Sequence, residues 1–352
     1  MTCRKNKVHQ YTGILRLVSI IMIIAVAMSG CGSNNKNAAD SNEEYTADIF
    51  AMDTYMTLTA YGKNSEETVN KAIAEINRLD RMFSVGNTNS DVTRVNNQGS
   101  ADVTEETAFL INKAVSMGEK TNGAYDVTIY PIMELWGFTT KNYNVPEQSK
   151  IEETLKKVSY KNVSVNGTNV QLSGGSMVDL GGIAKGYTSS RVMEIFKECG
   201  IEHGIINLGG NVQVLGDKTD GSSWRVAVQN PDNENGYLGI LSTTDNAVIT
   251  SGGYERYFEQ NGVVYHHIID PDTGYPSDSD LTSVTIVCAD GTTADALSTG
   301  LFVMGLDKAK EFYRSSDLNF DMILYDKTGT VYVSEGIKDN FTTDYTKVVI
   351  TK

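Results

Sequence analysis

The run Ala294-Asp295-Ala296-Leu297-Ser298-Thr299 places one carboxylate and two hydroxyls in an otherwise apolar stretch that continues to Met304. Positions i, i+3 and i+4 share one face of a helix. Asp295, Ser298 and Thr299 therefore point the same way from a segment that the pattern expects to be buried. Buried polar groups need partners, and three oxygens on one face suit a hard cation such as Mg²⁺. Two dozen residues upstream, His266-His267-Ile268-Ile269 runs into the turn Asp270-Pro271-Asp272-Thr273-Gly274. Two adjacent histidines on a strand face opposite sides, and a lone strand histidine is commonly structural.

A second group of signals is rich in glycine. Asp179-Leu180-Gly181-Gly182-Ile183-Ala184-Lys185-Gly186-Tyr187 reads as a strand-to-helix turn opening a helix through Phe196. Glycine lets backbone approach a ligand closely, helix N-termini favour anions, and Lys185 adds a positive charge there. Neither GxxxxGK[ST] nor GxGxxG is present, so no nucleotide fingerprint applies. A tight turn with close helix packing is the competing reading. Asn207-Leu208-Gly209-Gly210-Asn211 and Thr250-Ser251-Gly252-Gly253 add two further turns of this kind. Several close-approach turns in one domain suggest an extended ligand lying across backbone. Tyr125, Asp126, Tyr130, Trp136 and Phe138 form an aromatic cluster that suits either a core or a wall for a flat heterocycle.

These groups must be positioned by elements that the periodicity outlines. Strands are expected at Thr54 to Tyr61, Ile205 to Leu208, Val212 to Leu215, Trp224 to Gln229, Tyr237 to Ser242, Ala247 to Thr250, Val263 to Ile269 and Leu281 to Val287. Helices are expected at Ser65 to Phe83, Thr104 to Lys120, Thr293 to Met304 and Asp307 to Tyr313. Ser149-Lys150-Ile151-Glu152 carries a capping-box signature. Val163 to Leu172 reads as a hairpin turning near Asn166-Gly167, and Met322 to Tyr325 with Val331 to Val333 as a second. Helices first and strands mostly later give an α+β class rather than regular βαβ alternation.

The first thirty residues fall outside this scheme. Arg4, Lys5, Lys7 and Arg16 precede an apolar run from Leu17 to Met28 and then Met28-Ser29-Gly30-Cys31. This reads as a secretory signal over 1–30, with an uncleaved anchor helix as the alternative; Cys31 suggests a lipidation site. Residues 31–45 are Asn-, Ser- and Asp-rich and suit a flexible tether, leaving 46–352 as one domain. Formal net charge is −14, and every charge before Cys31 is positive. That balance excludes nucleic acid, which demands a basic footprint, and electrostatic binding to anionic lipid. With Cys3 and Cys31 accounted for, Cys199 and Cys288 remain, without zinc spacing. A disulfide between them is one reading, and two buried free thiols are the other.

In order along the chain, Ala51-Met52-Asp53-Thr54, Asn122 to Thr128, Leu135-Trp136-Gly137-Phe138, Asp179 to Tyr187, Asn207 to Asn211, Thr250-Ser251-Gly252, His267 to Pro271 and Ala294 to Thr299 resemble the ApbE family of flavin transferases. The resemblance spans nearly everything from Thr46 onward. It implies a single ApbE-like α+β domain with mixed and antiparallel sheets and flanking helices. It implies FAD as substrate and Mg²⁺ as cofactor, with FMN moved to a Thr or Ser hydroxyl of an acceptor protein and AMP released. Carried over by position, Asp295, Thr299, Ser298 and the Gly182 carbonyl would hold the metal. Met52, Ser84, Ala124, Tyr125, Asp126, Asp179, Lys185, Thr250, Ser251, Gly252 and Ile269 would hold FAD. His267 is the candidate base, against a structural role beside the Asp270 turn. The resemblance also implies an extracytoplasmic lipoprotein anchored at Cys31. The chain carries no acceptor motif of its own, so the acceptor is expected to be a separate protein. Two alternatives share the site: an FAD pyrophosphatase giving FMN and AMP, and an FAD-binding lipoprotein without chemistry.

Overall fold

The computed structural model describes residues 43–352. The expected signal segment, Cys31 and most of the expected tether lie outside the described residues. The described part opens on a hairpin, β1 (Glu44–Ala51) and β2 (Thr54–Tyr61). The helix α1 (Ser65–Phe83) follows, then α2 (Asp91–Gln98), the short β3 (Ser100–Asp102) and α3 (Glu105–Lys120). Next come α4 (Tyr130–Trp136), α5 (Gln148–Leu155) and the hairpin β4 (Val163–Asn166) and β5 (Asn169–Leu172). After α6 (Ala184–Glu198) the chain is mostly strand: β6 (His203–Leu208), β7 (Asn211–Leu215), β8 (Trp224–Asn230), β9 (Asn233–Thr243), β10 (Ala247–Gly252), β11 (Tyr257–Gln260), β12 (Val263–His266) and β13 (Leu281–Cys288). It ends with α7 (Gly291–Met304), α8 (Leu306–Ser315), β14 (Asp321–Asp326), β15 (Thr330–Ser334), β16 (Phe341–Thr342) and β17 (Thr346–Ile350).

A nine-stranded sheet in the order β1-β2-β6-β7-β10-β13-β14-β15-β17 forms the frame. Its neighbours are antiparallel except β15 and β17, which run parallel. Successive strand residues face opposite sides, and both sides of the central strands are covered. Ile249, Ile286 and Leu324 pack with Ala294, Leu297 and Leu301 of α7. Val248, Val287 and Ile323 pack with Val226, Leu241 and Phe341 of the small sheet β16-β9-β8. Double coverage explains why β13 is buried at seven of its eight positions. The helix α7 is apolar nearly all round, as a fully buried helix must be. The helix α1 and part of α6 cover β1, β2 and β6. A fourth cluster packs Trp136, Phe138 and Ile151 beneath the separate β11–β12 ribbon.

The α+β class, with mixed and antiparallel sheets and flanking helices, matches the sequence reading. Four local expectations differ. Thr250-Ser251-Gly252 is not a turn: it ends β10 and stays paired with β13, so only Gly253 leaves the strand. The segment before Asp179 is not a strand: it follows residue 127 through one backbone bond, Asp179 N–H to Val127 O at 2.9 Å, which is too little for a ladder. The capping box at Ser149 is not used, because α5 already begins at Gln148 after an extended Glu147. The expected strand to Ile269 stops at His266, because the chain must leave the ribbon to enter the Asp270 turn, closed by Gly274 N–H to Asp270 O. Cys199 and Cys288 are free thiols, and only Cys288 is buried. Among the described residues no helix is long and apolar enough to cross a membrane.

Candidate active site

The helices α6 and α7 cross at their N-terminal ends, backbone to backbone. A Cβ on Gly186 would stand 2.1 Å from the Gly291 carbonyl oxygen, and one on Gly291 would stand 2.6 Å from the Gly186 oxygen. Only glycine at both positions allows this approach. At the crossing the Gly186 N–H donates to Asp295 Oδ2 at 2.8 Å. Asp295 thus caps α6, whose own N-cap, Ile183, supplies no side-chain bond. The second carboxylate oxygen, Oδ1, takes no hydrogen bond among the described residues.

Hydroxyls surround that carboxylate in a definite order. Ser298 Oγ donates to the Asp295 carbonyl oxygen at 2.8 Å. With its proton committed, Ser298 accepts from Ser251 Oγ at 2.8 Å, and Ser251 in turn accepts from Thr299 Oγ1 at 3.3 Å. The lone pairs of Thr299 are left open. The Gly182 backbone lies close by, since a Cβ there would reach within 3.9 Å of Thr299 Oγ1. It would also stand 3.1 Å from the Tyr125 ring. The Tyr125 hydroxyl is buried and has no partner. Burial first, and then the charges of Asp295, Asp179 and Asp126, lift this phenol well above its ordinary range. Asn211 Nδ2 is a second buried polar atom without a partner.

Both orphan groups, with Asp295 and Thr299, line one cleft of about 1840 Å³. Pockets for ordinary small molecules hold about 300–1,000 Å³, so this cleft accommodates a dinucleotide. Met52, Ser84, Ala124, Tyr125, Asp126, Asp179, Gly182, Lys185, Thr250, Ser251, His267 and Ile269 share its wall. Gly252 and Ser298 do not. Gly252 is pressed against Tyr254, whose ring a Cβ would meet at 2.2 Å. Ser298 is fully buried beneath Ser251 and orders the hydroxyl relay from behind. Some cleft side chains are already engaged. Asp126 accepts from Thr128 and from the Tyr160 N–H, Thr250 pairs with Thr285 at 2.8 Å, and Ser84 accepts from the Gly86 N–H.

The family model for the ApbE family matches residues 52–324. The chain belongs to the ApbE family. It is 30% identical over 318 residues to the FAD:protein FMN transferase of Escherichia coli K12, spanning 86% of this chain and 91% of that one. It is 29% identical over 316 residues to that of Treponema pallidum, spanning 83% and 86%. The ApbE protein of Thermotoga maritima superposes with a TM-score of 0.80 at 35% identity, covering 85% of this chain and 99% of that one. The flavinyl transferase ApbE of Pseudomonas stutzeri does so with 0.74 at 26%, covering 87% and 95%.

In this ApbE-family chain the cleft also holds charged groups that the sequence pattern did not single out. Glu255 opens onto the cleft, yet enough protein surrounds its carboxyl that desolvation, reinforced by Asp295, pushes it up to about 7 against the pull of Lys185 and Arg256. Burial likewise raises the Asp179 carboxyl, opposed by the Gly181 N–H and by Arg256 and Lys185. His267 Nδ1 lies 3.2 Å from the Arg256 carbonyl oxygen. A carbonyl only accepts, so Nδ1 carries the proton and Nε2 is the free base. Burial, then Arg256 and Lys185, push this imidazole down to about 3, so it is neutral at pH 7. Met52 and Asp53 form the two-residue turn between β1 and β2, both left-handed at φ 48° and 60°. Non-glycine residues held this way mark a position the surroundings over-determine. Here Asp53 pairs with Lys141 at 3.0 Å and with Arg256 at 3.4 Å.

Proposed function

We propose that this chain transfers FMN from FAD to a Thr or Ser hydroxyl of an acceptor protein outside the cytoplasm, with Mg²⁺ bound and AMP leaving. The observation that carries this reading is the Asp295 carboxylate: one oxygen is fixed on the end of α6, the other is open beside Thr299, and both lie at the floor of a dinucleotide-sized cleft. Among the described residues no three His, Cys, Asp or Glu side chains gather as a metal cluster. The candidate set is instead one carboxylate, the Thr299 hydroxyl and the Gly182 carbonyl, hard oxygens of the kind Mg²⁺ takes alongside phosphate oxygens and water. The unpartnered Tyr125 hydroxyl beside them fits a site completed by a ligand. When bound, the metal supplies charge neutralisation on the diphosphate and holds the leaving group in line.

The chain's own residues account for the remaining steps. Lys185 and the N-terminus of α6 bring positive charge to the diphosphate. Tyr125 and the backbone around Ala124 and Ile269 hold the dinucleotide across the cleft. The acceptor hydroxyl attacks the FMN phosphorus; its O–P bond forms as the bond to the AMP oxygen breaks. His267 Nε2, whose tautomer the Arg256 carbonyl fixes, is the candidate base for the hydroxyl proton, with a basicity that burial and the nearby cations lower. Positioning supplies much of the rate in such a displacement. The basic and apolar start, Cys31 and the polar stretch after it support a lipid-anchored domain on the outer side of a membrane.

The test is to incubate the full-length chain with FAD, Mg²⁺ and a flavin-acceptor domain, then weigh the acceptor by intact-protein mass spectrometry. The expected result is a gain of one FMN phosphoester, abolished by EDTA. Free FMN and AMP with an unmodified acceptor would replace the transferase by an FAD pyrophosphatase, and intact FAD would replace it by a binding protein.

A further inference from the structure

Ten large hydrophobic side chains are exposed among the described residues, and they are not spread evenly. Phe50, Tyr143, Tyr257 and Val264 stand on the wall of the cleft at its mouth. Tyr55, the most exposed at 75%, touches Phe50 edge to face at 5.1 Å on the β1–β2 hairpin. The three segments that carry these residues are drawn together by one group: Asp53, at the tip of that hairpin, pairs with Lys141, two residues before Tyr143, and with Arg256, next to Tyr257. Val264 and Tyr257 share one face of the β11–β12 ribbon, because Tyr257 is registered opposite His266 and Val264 opposite Glu259. Tyr143 stacks at 5.2 Å on Phe258, which belongs to the other face. The mouth therefore carries Phe50 and Tyr55 on the hairpin and Tyr257 and Val264 on one face of the ribbon, with Tyr143 behind it, and nothing among the described residues covers them.

We propose that this patch is the docking surface for the acceptor protein, which lays the segment bearing its Thr or Ser hydroxyl across the β1–β2 hairpin and the β11–β12 ribbon. The proposal rests on the transferase reading, since that reaction requires a second protein whose hydroxyl enters this cleft. Three features favour a protein here. Tyr, Phe and Arg are the side chains that dominate the energetic centres of protein interfaces. An exposed apolar patch bordered by charge marks an interaction site. A lipid surface fits poorly, because the chain carries a net charge of −14 and the patch has no excess of basic side chains, Lys141 and Arg256 being paired with Asp53.

The experiment compares wild type with Tyr55→Ala and, separately, with Tyr55→Lys, since this side chain is exposed and stands off the cleft wall. Transfer to the acceptor domain is followed at varied acceptor concentration, and FAD affinity is measured by flavin fluorescence without acceptor. The expected result is a KM for acceptor raised about tenfold in Tyr55→Lys and less in Tyr55→Ala, with FAD affinity and kcat within about twofold of wild type. Retained FAD affinity shows that the variants fold. An unchanged KM in both variants overturns the docking surface. So does wild type that sediments with phosphatidylglycerol vesicles through this patch, or that self-associates through it, while the KM stays fixed. No transfer by wild type instead overturns the transferase reading itself, so the two failures are separable.

Discussion

At the floor of the cleft, α6 and α7 meet backbone to backbone through Gly186 and Gly291, while its mouth is made of hairpins joined by the exposed Asp53 ion pairs. The floor is in place before any ligand arrives: Asp295 is fixed by the Gly186 N–H, and the hydroxyls of Ser298, Ser251 and Thr299 are ordered in sequence. Preorganised groups of this sort cost no reorganisation when charge develops. The mouth has the opposite character. Its aromatics are in water, its turn is held in left-handed geometry by contacts, and its ion pairs are of the exposed kind that contribute little. The contrast teaches a division of labour. On the proposed reading, the floor serves the chemistry of every turnover and the mouth serves the partner.

The largest effect is expected at the floor. Asp295→Ala should lower the rate of transfer by about 10²–10³-fold, the usual cost of losing a preorganised electrostatic group, with the KM for acceptor little changed. Single-turnover transfer read by acceptor mass checks this, and a loss under fivefold would break the division. Gly186→Ala comes next, because its Cβ meets a backbone oxygen that cannot swing away. Overpacking of this kind costs about 1–3 kcal/mol, and urea denaturation should show it, whereas Tyr55→Ala at the mouth should stay within about 0.5 kcal/mol of wild type. Equal losses at both places would erase the contrast.

Tyr125→Phe sharpens the comparison within the floor. Its hydroxyl has no partner in the ligand-free chain, so removing it should leave ligand-free stability unchanged or higher. FAD affinity in the presence of Mg²⁺, measured by calorimetry, should drop by about 1–2 kcal/mol, the scale of one lost buried hydrogen bond. The smallest effect concerns Glu255. Its carboxyl is raised from 4.5 to about 7 in the folded chain, so the folded state holds this proton more tightly than the unfolded state does. The stability penalty is absent below about pH 4.5, grows as pH rises and is complete above about 7. Glu255→Gln should therefore melt at a higher temperature than wild type at pH 8 in chelator, with the difference closing at pH 4.5. A constant difference across that range would remove Glu255 from the electrostatics of the floor.

The Asp295 cluster was legible in the sequence because a helix writes its faces at fixed spacing. Asp295, Ser298 and Thr299 do share a side of α7, and α1 spans the residues its apolar spacing marks. Spacing alone does not tell which of the three reaches the cleft. That depends on β10, whose Ser251 covers Ser298 and leaves Thr299 at the surface. Glu255 and Arg256 passed unnoticed for a similar reason. They sit in a polar connection, and their electrostatics come from Lys185 and Asp295, which are distant in sequence. The helix α2 buries only two apolar side chains, Val92 and Val95, too few to register as a period. The strand β1 alternates properly, but as a sheet edge its exposed positions are Glu44, Thr46, Asp48 and Phe50, and the first three read like a continuation of the tether.

The bond from Gly186 to Asp295 joins residues 109 positions apart. Contacts of such separation form after the local ones, since the chain between them must first be brought together. A ribosome that has not yet released residue 299 holds a chain with the glycine turns but without the carboxylate and hydroxyls that face them. The half-made enzyme has no centre to which a dinucleotide could commit. A truncation anywhere before α7 is therefore expected to abolish transfer instead of weakening it, because it removes Asp295 and Thr299 together.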